Sequence, residues 1–214
     1  MSRSYVVRAD KNPNSSLSFE SFAGDLVTHL SDARAVPSRL LGAEALKELR
    51  KKFRREFKGV ESASVQPYVE SLSLKKIFST HVTPKGKAEL ADLLFARLLA
   101  GIPDNHPGNF VFFKDKIYSI DHAYLGTLMK GEDPLDFLVL STPNPSGEGA
   151  ATAIERVQEF AAEVSDEFKE KIENLKLDEF HSQQGGSFVL SAAYREGFQN
   201  RLQAIKKLLK NSNQ

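Results

Sequence analysis

The sequence predicts an α+β fold. Three observations carry this. Short strand-like runs lie in the first 70 residues. Apolar residues recur at helical spacing through most of the chain beyond residue 80. One hairpin pattern interrupts those helices in mid-chain.

Each element follows from local chemistry. Residues 5–8 (YVVR) read as a short strand ended by the turn formers DKNPNSS. Ser18 then opens a helix with Phe19, Phe22, Ala23, Leu26, Val27 and Leu30 on one face. Ala35-Val36-Pro37 stops it, and residues 39–41 suit another strand. Residues 43–58 form an amphipathic helix with Leu46, Leu49, Phe53 and Phe57 as its stripe, ended by Gly59. Residues 63–69 (ASVQPYV) read as a strand, in which Pro67 implies an edge position or the strand's exit. A helix is expected over about 72–79. The next helix has Thr83 as its N-cap and Pro84 at its first position. It carries Ala88, Ala91, Leu94, Phe95, Leu98 and Leu99, and Gly101 terminates it. A Pro/Gly loop, DNHPGN, leads into strand FVFF, turn KDK and strand IYSI. The turn-rich run STPNPSGEGA precedes one helix over about 151–173. A last helix over about 189–210 carries Tyr194, Phe198, Leu202, Ile205 and Leu209, with lysines in its final turn, where the helix dipole favours them.

Composition narrows the function classes. The chain has 214 residues and no cysteine, enough for a real core without disulfides. Thiolate metal sites and cysteine nucleophiles are excluded. No apolar run approaches the ~18 residues of a membrane span, and MSRSYVVRAD has no apolar signal region. A cytoplasmic location is therefore expected. The net charge is +1, but it is unevenly spread. Residues 46–58 hold seven basic and two acidic side chains, and residues 155–179 nine acidic and four basic. The basic segment suits docking of an acidic partner, an anionic lipid or RNA. No stacking aromatics interleave its charges, which argues against sequence-specific nucleic-acid binding. Gly-Glu-Gly at 147–149 is no phosphate loop, since no strand precedes it and no G-K-[ST] follows.

Chemistry concentrates in residues 104–122, DNHPGNFVFFKDKIYSIDH. Asp104 sits in a tight loop after a long apolar helix. Asn109 stands at the mouth of the hairpin, and Asp121 ends its second strand. An antiparallel hairpin brings its open ends together, so Asn109 and Asp121 should lie within reach of one metal ion. An amide and a carboxylate are hard-cation ligands suited to magnesium. A third acid beside them can orient or deprotonate a hydroxyl. These are the parts of phosphoryl transfer, and Asp104 to Asn109 reproduces the D-x-x-x-x-N spacing of the kinase catalytic loop.

DNHPGN followed by Ile-Asp-His resembles the D-R-H-x-x-N and I-D-H motifs of the atypical branch of the kinase-like fold, which includes phosphoinositide kinases and HipA-like serine/threonine kinases. The resemblance is closest to compact bacterial HipA-like kinases. It implies a bilobal fold, with a reduced N-terminal lobe over residues 1–70 and a helical C-terminal lobe over 71–214. It implies Asp104 as the catalytic acid, Asn109 and Asp121 as magnesium ligands, and His106 as a nucleotide-side member of the same loop. Upstream, Arg8 falls where the family has its ATP-phosphate lysine, with Lys11 as the substitute if the register slips. Glu20 falls at the partner glutamate, and Gln66 and Tyr68 in the strand and hinge that cradle adenine. ATP and Mg2+ are the implied cofactors, and a hydroxyl-bearing protein the implied acceptor. Asn105 stands where the family has arginine, and arginine at position 8 is not equivalent to lysine. An inactive pseudokinase or kinase-derived binding module is therefore a second expectation. A metal-dependent phosphohydrolase, with His106 and His122 as ligands beside Asp104 and Asp121, is a third.

Overall fold

The computed structural model describes residues 5–11, 16–32, 35–36, 38–68, 84–102, 109–113, 116–122, 150–184 and 188–212. These make an α+β chain with five strands and seven helices among the described residues. In chain order they are β1 (Tyr5–Asp10), α1 (Ser16–Leu30), β2 (Arg39–Leu40), α2 (Ala43–Lys52), β3 (Ser62–Pro67) and α3 (Pro84–Ala100). Then follow β4 (Phe110–Phe113), β5 (Lys116–Ser119), α4 (Ala150–Glu163), α5 (Asp166–Asn174), α6 (Leu177–Gln183) and α7 (Ala192–Asn211). The helix expected over 72–79 lies outside the described residues.

Strands β1 and β2 flank β3, both antiparallel to it. Arg8 pairs with Ser64, as does Leu40 from the other side. β3 is therefore the central strand. Pro67 marks its exit rather than an edge, so its missing N–H costs no ladder bond. Strands β4 and β5 form a separate antiparallel hairpin in the register Phe110 to Ser119.

Helix α3 is the axis of the main core. From Leu90 to Ala100 every side chain except Asp92 is buried. A helix that is apolar on all sides must be covered on all sides. Helix α1 covers it with Phe22, Leu26 and Leu30, the hairpin with Phe110 and Ile117, and α7 with Phe198, Leu202 and Ile205. A second, small core joins Leu46 of α2 to Val60 and Ala63, backed by Leu41 and Phe57. Helix α1 belongs to the larger core, and the smaller is made by residues between Leu41 and Ala63.

Three boundaries differ from the sequence reading. The helix expected over 43–58 stops at Lys52, and Phe53 leaves helical geometry at φ −120°, ψ 61°. Continuing it would stack Arg50 on Arg54 and Lys51 on Arg55, and like charges four apart destabilise a helix. Turning instead lets Phe57 reach the small core, while the Arg50 guanidinium donates to the Val60 carbonyl. The single helix expected over 151–173 is two, α4 and α5. The break is fixed from outside: Asp92 of α3 accepts from the Ser165 N–H at 2.9 Å and from its hydroxyl at 2.7 Å. Ser165 Oγ in turn caps α5 by accepting from the Phe168 N–H. Helix α6 is an addition, docked by buried Leu177 and Phe180.

Helix α3 ends as expected at Gly101, whose φ of 85° lies in the left-handed region. The Ile102 N–H bonds the Arg97 carbonyl and the Gly101 N–H the Leu98 carbonyl, the paired closure of a Schellman motif. Two α7 side chains satisfy carbonyls at that end: Arg201 Nε donates to Leu99 O at 3.0 Å, and the Tyr194 hydroxyl to Ala100 O at 2.9 Å. A Cβ at position 101 would lie 3.0 Å from buried Arg201 Nη2, whereas at Gly59 (φ 73°) it would meet open space. Either alanine carries a left-handed cost of ~1–2 kcal/mol. We expect Gly101→Ala to lower the melting temperature by several degrees more than Gly59→Ala, at ~2–4 °C per kcal/mol for a chain of this size. Equal losses in the two melts would show that the approach of Arg201 contributes nothing.

Candidate functional site

The hairpin delivers two of the residues singled out from the sequence to one place. Beyond the Phe110–Ser119 pair, the Ile120 N–H donates to the Asn109 carbonyl at 2.8 Å. Asn109 is thus one residue across the ladder from Asp121. Asp121 has φ 54°, a left-handed conformation that aspartate tolerates better than most residues.

Strand β1 and helix α1 bring two more. Arg8 Nη1 lies 3.0 Å from Asp121 Oδ1 and 3.2 Å from Glu20 Oε1. One guanidinium therefore bridges carboxylates from α1 and from the hairpin end. Glu20 is fully buried, whereas the Asp121 side chain keeps 40% of its surface exposed. The cluster is rigid on the Glu20 side and open on the Asp121 side. Two carboxylates, Glu20 and Asp121, share the Arg8 guanidinium there. Burial pushes the Glu20 carboxyl above its ordinary range; Arg8 pulls it part of the way back, and Asp121 pushes it up again. Arg8 is held above its ordinary value, first by its hydrogen bond to Asp121.

Behind Asp121 lies a support that sequence reading missed. Arg97 of α3 is fully buried, and its Nη1 donates to Ser119 Oγ at 2.7 Å and to Ile120 O at 2.9 Å. Its Nη2 donates to Asp121 O at 3.3 Å, and its guanidinium carbon lies 5.3 Å from the centre of the Phe110 ring. The His122 ring is also buried, with Nε2 2.9 Å from Ser119 Oγ. Ser119 Oγ thus meets both Arg97, from which it accepts, and the His122 ring nitrogen. Burial, reinforced by Arg97 and Arg8, holds His122 well below its usual range and therefore neutral. Gly24 of α1 allows this approach, since a Cβ there would stand 3.3 Å from His122 Nδ1. The Val36 N–H donates to Ser119 O at 2.9 Å, tying the segment before β2 to the same hairpin end. One signal for Arg97 was present in the sequence: a lone charge in the last turns of LADLLFARLLA.

The other singled-out residues are placed as follows. Lys11 follows β1, is exposed, and makes no ion pair among the described residues. Gln66 is buried in β3, and its Nε2 donates to Val36 O at 2.8 Å. Tyr68 lies just past β3 with 58% of its surface exposed. Asp104 and His106 lie outside the described residues. Among the described residues, no group of three or more His, Asp or Glu side chains is placed to hold a metal ion. A cation here would draw on the Asp121 carboxylate and the Asn109 amide, hard oxygen donors of the kind magnesium takes. Elsewhere, a cleft of about 480 Å3 is lined by His29, Glu167, Lys171, Lys176, Glu179 and Phe180. Two of its cations are paired within the cleft, Lys171 with Glu167 at 2.7 Å and Lys176 with Glu179 at 2.9 Å, and Glu170 also lines it.

No protein-family model, curated protein or solved structure matches the chain. No helix among the described residues is long and apolar enough to cross a membrane.

The Glu20 environment has a pH signature. A carboxyl raised on folding favours the native state while it is protonated and disfavours it once ionised. Wild type should therefore lose stability relative to Glu20→Gln as pH rises from the ordinary glutamate range through the raised native value. Thermal melts between pH 4 and pH 8 should start near equal and diverge, with Glu20→Gln the more stable at neutral pH. A constant offset across that range would show that Glu20 is not raised by folding.

Proposed function

We propose that the chain is an ATP-dependent phosphotransferase of the kinase-like fold, akin to HipA-like kinases, acting in the cytoplasm. It transfers the γ-phosphoryl group to a hydroxyl, with protein serine or threonine as the favoured acceptor. The observation that carries this reading is the meeting of Arg8, Glu20 and Asp121. Arg8 was singled out for phosphate contact and Glu20 as its partner, both through the family resemblance, and Asp121 for holding metal. They come from β1, α1 and the hairpin end, and Arg8 and Asp121 are 113 residues apart.

In this reading Asp104 orients the acceptor hydroxyl and takes its proton as the acceptor oxygen forms its bond to the γ-phosphorus and the bond to the ADP oxygen breaks. Asn109 and Asp121 hold Mg2+, which would neutralise charge developing on the phosphates. Arg8 leaves Asp121 for the phosphates and stays tethered through Glu20, with Lys11 as a second cation nearby in sequence. His106 holds the nucleotide side of the Asp104 loop. The backbone between Gln66 and Tyr68 receives the adenine edge, and the exposed Tyr68 ring is available to cover it.

One observation favours a second reading, a nucleotide-binding module without turnover. Arg8 is bonded directly to the carboxylate that the metal needs. In either reading the basic segment of α2 and the turn after it serves as a docking face for an acidic partner. Lys47, Lys52, Arg54, Arg55 and Lys58 are exposed there, with no ion pair among the described residues.

Calorimetry with Mg·ATP and a radiolabelled γ-phosphate transfer assay test the proposal together. Wild type should bind nucleotide and transfer phosphate to itself or to an added protein acceptor. Asp104→Ala should lower transfer by about 10^2–10^4-fold while still binding nucleotide. Asp121→Ala should abolish metal-dependent binding. Full activity in both variants would refute the assignment. Binding in wild type without transfer would select the second reading.

A further inference from the structure

Arg97 carries a full charge at zero exposure, inside a helix that is otherwise apolar over its last eleven residues apart from Asp92. Burying a guanidinium costs several kcal/mol unless its donors are met. Here three donations converge on three successive residues, at Ser119 Oγ, Ile120 O and Asp121 O. These span the end of β5 and the start of the left-handed turn. They fix the strand end before the turn and the carbonyl of the left-handed residue itself. A non-glycine residue in that region is strained and persists only where its surroundings hold it.

The surroundings repeat the constraint. Ser119 is also held through its carbonyl by Val36 and through its hydroxyl by neutral His122. His122 in turn is wedged against Gly24 of α1. With the backbone of residues 119–122 held on one side, the Asp121 carboxylate is left on the other, facing Arg8 and Glu20.

We propose that Arg97 is a positioning residue. It touches neither nucleotide nor metal, but its guanidinium fork sets the backbone of Asp121 and so aims that carboxylate. The role is one for which lysine is a poor substitute, because three acceptors in different directions need a planar fork and not a single ammonium. The functional part of this inference rests on Asp121 being a metal ligand, as proposed above.

The experiment measures Mn2+ affinity in the presence of a non-hydrolysable ATP analogue, by electron paramagnetic resonance of free Mn2+. It compares wild type with Arg97→Lys and Ser119→Ala, and a thermal melt accompanies each variant. Residues that orient a metal ligand typically change affinity by 10–100-fold when lost. We expect Arg97→Lys to weaken Mn2+ binding about 10–100-fold while analogue binding without metal stays as in wild type. A purely structural role would lower the melting temperature and leave the metal affinity of the folded protein unchanged, and that result overturns the inference. If Arg97→Lys does not fold, Ser119→Ala decides. It removes one charge-assisted acceptor and should weaken Mn2+ binding about tenfold, whereas wild-type affinity overturns the inference. Failure of wild type to bind Mn2+ and analogue refutes the phosphotransferase reading and the positioning role together. Wild-type binding with an unaffected Arg97→Lys refutes the positioning role alone.

Discussion

The structure is organised around a buried positive charge that cannot reach water. Arg97 sits on the most enclosed helix among the described residues, and its donors must find acceptors inside the protein. They find them at the end of the hairpin. That requirement places the hairpin against α3 in one register, since a slip of one residue would remove the Ser119 hydroxyl from reach. With the hairpin fixed, Ser119 can receive the segment before β2, and His122 can close against Gly24 of α1. Sheet, hairpin and two helices are thus joined by polar contacts at one point, within an apolar core that alone would specify volume and not direction.

The same point shows a tension between stability and chemistry. Glu20 is buried with its charge only partly compensated, because Arg8 is shared with Asp121. A hydrophobic or neutral residue would suit the fold better. Asp121 holds a backbone conformation that costs the fold further. Strain and unmet charge gathered in one opening are what a site retains when it must bind something charged.

Much of this was legible in the sequence where the information is local. The fold class, β1, α1, the start of α3 at Pro84 and its end at Gly101, and the β4–β5 hairpin follow from spacing and turn residues. So does the adjacency of Asn109 and Asp121, because a hairpin fixes which ends meet. What was not legible depended on partners far along the chain. The break between α4 and α5 is imposed by Asp92, 73 residues before Ser165. The early end of α2 depends on Phe57 finding a core made with β3. Gln66 lay in a strand that the sequence did place, but nothing local said that its amide would turn inward to Val36. Arg8 and Glu20 were singled out through the family resemblance and not from any periodicity, and nothing in the sequence said that one guanidinium would bridge Glu20 and Asp121. The support from Arg97 was signalled only by one charge in an apolar helix, with no indication of its target.

The 113-residue span between Arg8 and Asp121 also has a consequence for how the molecule comes into being. Contacts between distant segments form only after the entropy of closing a long loop has been met. The α4–α5 corner waits for Asp92, whereas the α5 cap, from Ser165 to Phe168, is local and can form with its own segment. The cluster at Arg8 cannot, because its members come from the first tenth and the middle of the chain. Arg8 and Glu20 belong to consecutive elements, β1 and α1, but the second arm of the bridge, to Asp121, cannot close until the hairpin is seated. During synthesis from the N-terminus, Arg8 and Glu20 emerge well before Asp121, so the full bridge waits for the hairpin. The bridge from Arg8 to Asp121 is thus closed late, after both of its distant segments are in place.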